Sequence, residues 1–425
     1  MSMRILVMPG TDDCANLGDL AMLQIAVGRL KALWPDARIQ VFTSAFDALK
    51  KHHPDVEPVP MRSIKCWLRV GALPRWFFPR IQPERRRCFP LTFNRLWQLG
   101  GLLYLPDYRL ARQFAEALFN SNLLVLSGCG LITDEFQYAA LRVLDVFGTA
   151  IKCGIPTVML SQGFGPIHSE LLRKRAAAVL PRVNAIFVRE QHASLPLLKQ
   201  LGVSHEKIFV TGDDAIGLAF RNNKTGRRTH LGVNLRLAKY AALDGKILDE
   251  VREVLIGKAR QFQTRLVGIP ITCSDTDSDV QTLERLLPQP QNDVKGMENP
   301  VTLPEIIRRI SDCRVVVAGS YHAGVFALSQ GIPVAAIVQS EYYQDKFHGL
   351  AGQFGAGCVV LRADDRGFAG NLDATVDQLW HDADALRPKL LAAAEQQMQA
   401  ACNTYARLPE MIRQGKPGQV PCYNS

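Results

Sequence analysis

A histidine sits where an apolar run breaks. In "VVVAGSYHAGVFALSQGIPVAAI" (315–337) the valines read as a buried strand, Gly319 and Ser320 interrupt it, and His322 opens the helix that carries Phe326 and Leu328. That order places Ser320, Tyr321 and His322 at the carboxyl end of a parallel strand, the rim where open α/β sheets bind ligands. An imidazole there can give or take a proton near neutral pH. A lone histidine in apolar surroundings serves equally well as a satisfied structural residue, so both readings stand. Three cations occupy comparable rims: Arg189 after "AIFV", Arg236 after "GVNL", and Lys346 in "EYYQDKFHG" beyond "IPVAAIV". One rim arginine is more often a salt-bridge partner; three in this pattern point to a polyanionic ligand.

Small residues mark the other rims. Asn16, Gly18 and Asp19 of "NLGD" lead into a helix whose first N–H groups can hold an anion, although Asp19 can equally be a cap answering the helix dipole. Gly128 and Gly130 of "SGCG" and Gly163 of "SQGFGP" would let main chain approach a ligand, and would also suit tight strand-to-helix turns. Other chemistries lack their residues. There is no G-x-S-x-G elbow, no H-E-x-x-H, no dinucleotide fingerprint and no phosphate loop. "CSDTDSD" (273–279) lacks the calcium-loop pattern and reads as a turn and helix cap. His52, His53, His168, His192 and His348 show no ligand spacing, and no metal site is expected.

The elements that must position these groups alternate. "RILVMPG", "RIQVFTS", "LLVLSGCG", "IPTVMLSQGFGPI" and "VNAIFVREQHA" are strands that stop at polar or glycine-rich rims, separated by helices. "LGVNLR", "TRLVGIP", "CRVVVAGS" and "IPVAAIV" repeat the pattern after "RNNKTGRRTH". The expectation is an α/β protein with two Rossmann-like parallel-sheet domains facing a cleft. The N-terminal domain spans 1–220, a linker 221–230, the C-terminal domain 231–385, and a helix and tail 386–425. Residues 287–300 read as a loop. Within the first domain, 62–105 departs from the rhythm as a basic, aromatic, proline-containing insertion. It suits a membrane-interface patch or an anionic acceptor site, or else a surface insertion whose arginines are merely solvated.

Bulk properties narrow the partners. The 425 residues carry a formal charge of +10, which favours anionic partners. With no nucleic-acid module, repeat or low-complexity tract, phosphorylated small molecules and acidic membrane surfaces are preferred over nucleic acid. The 10 cysteines form no C-x-x-C pair or zinc-finger spacing, as expected of reduced thiols. The opening apolar run is too short for a signal peptide, and no stretch reaches the roughly 20 apolar residues of a spanning helix. A cytoplasmic location is expected.

In order, "NLGDLAMLQ", "VLSGCGLITD", "SQGFGP", "FVREQHASLPLLKQLGV" with "VTGDDA", "VNLR", and "AGSYHAGVFALSQGIPVAAI" with "YYQDKF" resemble the polysaccharide pyruvyltransferase family, from about residue 4 to 355. The resemblance implies a fold like that of GT-B glycosyltransferases. It also implies transfer of pyruvyl from phosphoenolpyruvate to a saccharide acceptor, lipid-linked or nucleotide-linked, as a cyclic ketal. The family histidine maps onto His322, the following loop's basic residue onto Lys346, and the V-R-[DE] arginine onto Arg189; these are the expected catalytic residues. Asn16, Gly18, Asp19, Gly128, Gly130, Gly163, Arg236, Ser320 and Tyr321 are the expected substrate contacts. Ser320 stands where the family often has arginine, and Cys129 interrupts its usual triple glycine. The implied reaction needs no metal or organic cofactor, and a lipid-linked acceptor would bring peripheral contact with the inner face of a membrane. Two other readings are a GT-B glycosyltransferase using a nucleotide sugar, and a non-catalytic saccharide- or lipid-binding partner.

Overall fold

The computed structural model describes residues 3–70, 106–222, 226, 228–236, 245–273, 278–287 and 302–414. Among them, β1 (Arg4–Met8), β2 (Arg38–Thr43), β3 (Glu57–Pro60), β4 (Leu123–Leu126), β5 (Thr157–Gln162), β6 (Ala185–Val188) and β7 (Ile208–Val210) form one sheet in the order β3-β2-β1-β4-β5-β6-β7. A second sheet contains β8 (His230–Asn234), β9 (Leu266–Gly268), β10 (Cys313–Ala318), β11 (Val334–Val338) and β12 (Cys358–Arg362), ordered β12-β11-β10-β8-β9. Every pairing in both sheets is parallel. β4, β5 and β6 are buried along their whole length, as strands covered by helices on both faces must be.

Each sheet changes winding direction at one place, between β1 and β4 in the first and between β8 and β10 in the second. At such a point the neighbouring connections diverge and leave a crevice at the strands' carboxyl ends. Gly10 and Cys129–Gly130 follow the first pair; Arg236 and Ser320–His322 follow the second.

The two halves share their packing. The helix Leu17–Leu33 begins in the first half, yet its Leu17, Leu20, Ala21 and Met22 pack in one buried cluster with Ile269, Ile271 and Phe326 of the second. Beside it the Leu17 N–H donates to Ile271 C=O at 2.9 Å, and the Cys273 N–H donates to Ala15 C=O at 3.0 Å. The traffic also runs the other way. Tyr405, Leu408 and Ile412 of the C-terminal segment pack with Ile5, Val7 and Phe187 of the first half. Tyr405 donates to Asp214 Oδ2 at 2.6 Å, the same carboxylate pairs with Arg29, and the Arg29 guanidinium lies 4.4 Å from the centre of the Tyr405 ring.

Two boundaries of the sequence reading fall inside elements of the structure. His230, the last residue of the expected linker, already belongs to β8. The division at 385/386 falls inside one helix, Phe368–Ala406, which runs unbroken through Pro388. Of the basic insertion, residues 62–70 form the helix Arg62–Val70, whose Trp67 packs on Phe114 and Phe119 at ring separations of 5.5 and 5.8 Å. Residues 71–105 lie outside the described residues, as does most of the loop expected at 287–300. No helix among the described residues is long and apolar enough to cross a membrane.

Candidate active site

Both crevices open into one cavity of about 420 Å³. Its wall includes Asn16, Asp19, Gly130, Arg189, Arg236, Ser320, Tyr321, His322 and Lys346, so nine of the twelve expected residues meet there. Gly18, Gly128 and Gly163 are not on that wall. They are points of close approach behind it. A Cβ on Gly18 would sit 2.0 Å from His322 Nδ1, one on Gly163 would sit 2.7 Å from Arg189 Nη2, and one on Gly128 would strike the Met22 methyl at 1.9 Å. The glycines therefore let the imidazole, the guanidinium and a core methionine lie against main chain.

The first turn of Leu17–Leu33 also differs from expectation. Asn16 is its cap, and its side-chain oxygen accepts the N–H groups of Gly18 and Asp19 at 2.9 and 3.1 Å. Those donors are thus not offered to an anion. Asp19 is no cap; it is half-buried and faces the cavity. Withdrawal from water raises its pKa to about 6, against the lowering influence of Lys346 and Arg189.

The end of β8 fixes the helix that carries the histidine. Asn234 donates to Ile269 C=O and to Asp279, while its side-chain oxygen accepts the Ser320 N–H at 2.7 Å. Asp279 also accepts the N–H groups of Ile271 and Thr272 and lies 3.6 Å from Arg236 Nε. Arg236 donates to Thr272 Oγ1 at 2.9 Å. The helix Tyr321–Ser329 starts from this scaffold, and the Ser320 hydroxyl leaves it uncapped.

His322 is buried beside three charges. Burial, then Arg189 and Lys346, hold its pKa well below the usual imidazole value, so the ring is neutral in the free protein. Its Nε2 lies 3.8 Å from Asp213 Oδ2. Asp213 is buried too; desolvation raises it to about 6 although Arg189 lowers it. Arg189 Nη1 approaches the same carboxylate oxygen at 3.4 Å, and its guanidinium lies 4.3 Å from the centre of the Tyr321 ring. Lys346 donates to Tyr342 Oη, which donates to Gly130 C=O at 3.2 Å. Burial and Arg189 push the Lys346 ammonium well below its ordinary pKa. Cys129 is no nucleophile: burial lifts its thiol to about 12, and Sγ donates to Gln162.

Among the described residues, Arg189 Nη2, His322 Nε2 and Ser320 Oγ are buried polar atoms with no hydrogen-bond partner. Two carry or can carry positive charge, and all belong to cavity-lining residues, so an anionic ligand would satisfy them. The residues missed in the sequence include Asp213, Tyr342, Tyr343 and the acidic mouth Thr11–Asp13. "VTGDDA" carried a signal for Asp213, two carboxylates just past an apolar run, but nothing local pairs it with residues 189 and 322. No group of metal-ligating side chains occurs among the described residues.

The sequence model of the polysaccharide pyruvyl transferase family matches residues 16–341, more than half of the chain, and the chain belongs to that family. The match begins at Asn16 and ends before Lys346. No curated protein matches at a significant level. Among solved structures, the glycotransferase of kitacinnamycin is similar at 14% identity and a TM-score of 0.54, over 98% of this chain and 100% of that one. Anabaena Alr3699/HepE, in complex with UDP and glucose, is similar at 16% identity and 0.54, over 96% and 99%. The UDP-GlcNAc 2-epimerase from Neisseria meningitidis, bound to UDP-GlcNAc, is similar at 12% identity and 0.53, over 97% and 100%. At these identities the likeness shows the fold, two Rossmann-like sheets of the GT-B type.

Proposed function

We propose that this pyruvyltransferase takes phosphoenolpyruvate as donor and forms a cyclic pyruvate ketal on two hydroxyls of a saccharide acceptor. The observation that carries the reading is the convergence of Arg189, Lys346 and His322 in one cavity, with buried donor atoms of Arg189 and His322 lacking protein partners. A small molecule bearing both a carboxylate and a phosphate matches several cations held in a recess.

The chemistry then follows from charge. The free site keeps His322 neutral because it is buried near two cations. A bound dianionic donor would offset those cations and let the imidazole take a proton, with Asp213 at 3.8 Å steadying the imidazolium. In our scheme His322 gives that proton to C3 of the enol while an acceptor oxygen bonds to C2. The imidazole left behind takes the hydroxyl proton. The second hydroxyl then displaces phosphate at C2, and its proton leaves with the phosphate. Arg189 and Lys346 stabilise the negative charge that develops on the leaving group. Asp12 and Asp13, at the acidic mouth, are suited to accept hydrogen bonds from sugar hydroxyls. The scheme uses no metal or organic cofactor. A lipid-linked acceptor and peripheral contact with an anionic membrane remain part of this reading, carried by the composition of 62–105.

A nucleotide-sugar donor finds less support. An acidic rim residue of the second half would be needed to hold a donor ribose, but Asp279 of the 273–279 segment is buried and already holds Asn234, two backbone N–H groups and Arg236. The deciding experiment incubates the full chain with acceptor saccharides and either phosphoenolpyruvate or a panel of nucleotide sugars, with phosphate release and product mass recorded. Turnover only with nucleotide sugars would overturn the proposal.

A further inference from the structure

Two neighbouring carboxylates just past β7 serve different parts of the molecule. Asp213 serves the reaction cleft, with Oδ2 lying 3.4 Å from Arg189 Nη1 and 3.8 Å from His322 Nε2. Asp214 serves the closing helix Phe368–Ala406: its Oδ1 pairs with Arg29, and its Oδ2 accepts the Tyr405 hydroxyl at 2.6 Å. Both acids are buried, so neither can exchange a lost protein partner for water without moving. A single peptide bond separates the acid beside His322 from the acid beside Tyr405.

The turn that joins them is held from several sides. Ser161, near the end of β5, accepts the Asp214 N–H at 3.0 Å and donates to Gly212 C=O at 3.1 Å. It does so from φ 49°, in the left-handed region that residues other than glycine seldom occupy. Such conformations persist where the surroundings impose them, and they cluster at functional sites. Asp213 Oδ1 accepts the Ala215 N–H at 2.9 Å, which leaves Oδ2 for Arg189 and His322. Gly212, at φ 73°, lies against the closing helix, where a Cβ would meet Gln397 Oε1 at 2.7 Å. Gln397 and Tyr405 of one helix thus both touch this turn. Tyr405 is fixed in its own place by the edge-on Phe187 ring at 5.2 Å and by the Arg29 guanidinium, 4.4 Å from its ring centre.

We infer that Tyr405 is a positioning residue for pyruvyl transfer, acting through Asp214 to hold the Asp213 carboxylate beside His322. The inference rests on the reading of His322 as the proton-transfer group. Without the Tyr405 hydroxyl, Asp214 keeps Arg29 on one oxygen and leaves the other buried without this donor, a costly arrangement. The turn relieves that cost by shifting, and Asp213 shifts with it. Misplacement of a supporting group by about 1 Å is felt in rate more than in affinity. The charges bearing on Asp213 are Arg189, His322, Lys346 and Asp19, and those on Asp214 are Arg29 and its neighbour Asp213.

The test compares the full chain as wild type, Y405F, R29K and I412A, each assayed well below its Tm for phosphate release from phosphoenolpyruvate with acceptor saccharides. Y405F should lower kcat about tenfold and change KM for phosphoenolpyruvate by less than about twofold. The limb of its kcat profile that reports the His322 imidazolium should move to lower pH, as loss of a counter-ion requires. R29K disturbs the same carboxylate from its other oxygen and should act alike. I412A loosens the tail through its apolar packing; it should lower Tm and leave the pH profile in place. A second readout needs no turnover. Nitrogen NMR of the imidazole, with His322 identified by the signal missing in H322A, should differ from wild type in Y405F and R29K and match it in I412A. Wild type that releases no phosphate from phosphoenolpyruvate would defeat the reading of the reaction, and the spectra would then decide the positioning role. Folded Y405F and R29K with wild-type kcat, pH profile and His322 signals, or an equal change in I412A, would overturn the inference.

Discussion

The Asp213 carboxylate lies 3.8 Å from His322 Nε2, although the two residues come from different halves of the chain. The same oxygen is 3.4 Å from Arg189, so one buried acid serves both the imidazole and the guanidinium. An imidazolium formed at His322 would find its counter-ion already in place. H322A is therefore expected to lower pyruvyl transfer by about 10²–10⁴, the range for losing a proton-transfer group. D213N should lower kcat more than it raises KM and should move the pH profile. Full activity of H322A in a purified assay would remove the histidine from the reaction.

Phosphoenolpyruvate binding should draw protons from solution. His322 and Lys346 are both held well below their ordinary pKa values, by burial first and by neighbouring cations second. A bound anion reverses the second influence, so both groups gain proton affinity. Calorimetry at neutral pH in buffers of different ionisation enthalpy should report net uptake. Release, or no linkage, would count against the anion sitting beside these groups.

Asp19 gives stability a pH dependence of known sign. Its native pKa of about 6 exceeds the ordinary value of 3.8, so between the two the native state holds more protons than the unfolded chain. That contribution to stability is present at low pH and is lost as pH rises through about 6. D19N escapes the loss. Its Tm relative to wild type should accordingly be higher at pH 7.5 than at pH 5, and an unchanged difference would contradict the assignment.

Gly18 is expected to tolerate no side chain while His322 is present. A Cβ 2.0 Å from Nδ1 cannot be accommodated, so G18A should displace the imidazole and cost about 1–3 kcal/mol, as overpacking does. The same substitution in H322A should cost markedly less. Additive effects on Tm in the double variant would show that the two residues do not meet.

Much of this architecture was legible from the chain because the central strands are uniform apolar runs that stop at rims. β1, β4, β5, β6, β8, β10 and β11 are of that kind. The unread strands β3, β7 and β12 are all sheet edges. An edge strand has one open side and tolerates proline, and β3 reads Glu-Pro-Val-Pro. The expected division at 385/386 falls inside one helix; proline in a helix interior removes a hydrogen bond, yet the helix runs on through Pro388. At the site, strand ends gave away Arg189, His322 and Arg236. Asp213 did not, since a carboxylate's burial depends on elements that converge only in three dimensions. Gly18 was read for its backbone, whereas the space beside it proves to be what matters.

The crossing of cores limits how this protein can be rebuilt. The first turns of Leu17–Leu33 complete the hydrophobic interior of the opposite half, and Tyr405, Leu408 and Ile412 return to complete the other. A chimera exchanging lobes with a relative at residues 221–230 would sever both reciprocal inserts. Domain shuffling must carry the opening helix and the closing tail along with their foreign hosts, or produce two halves that each lack a wall.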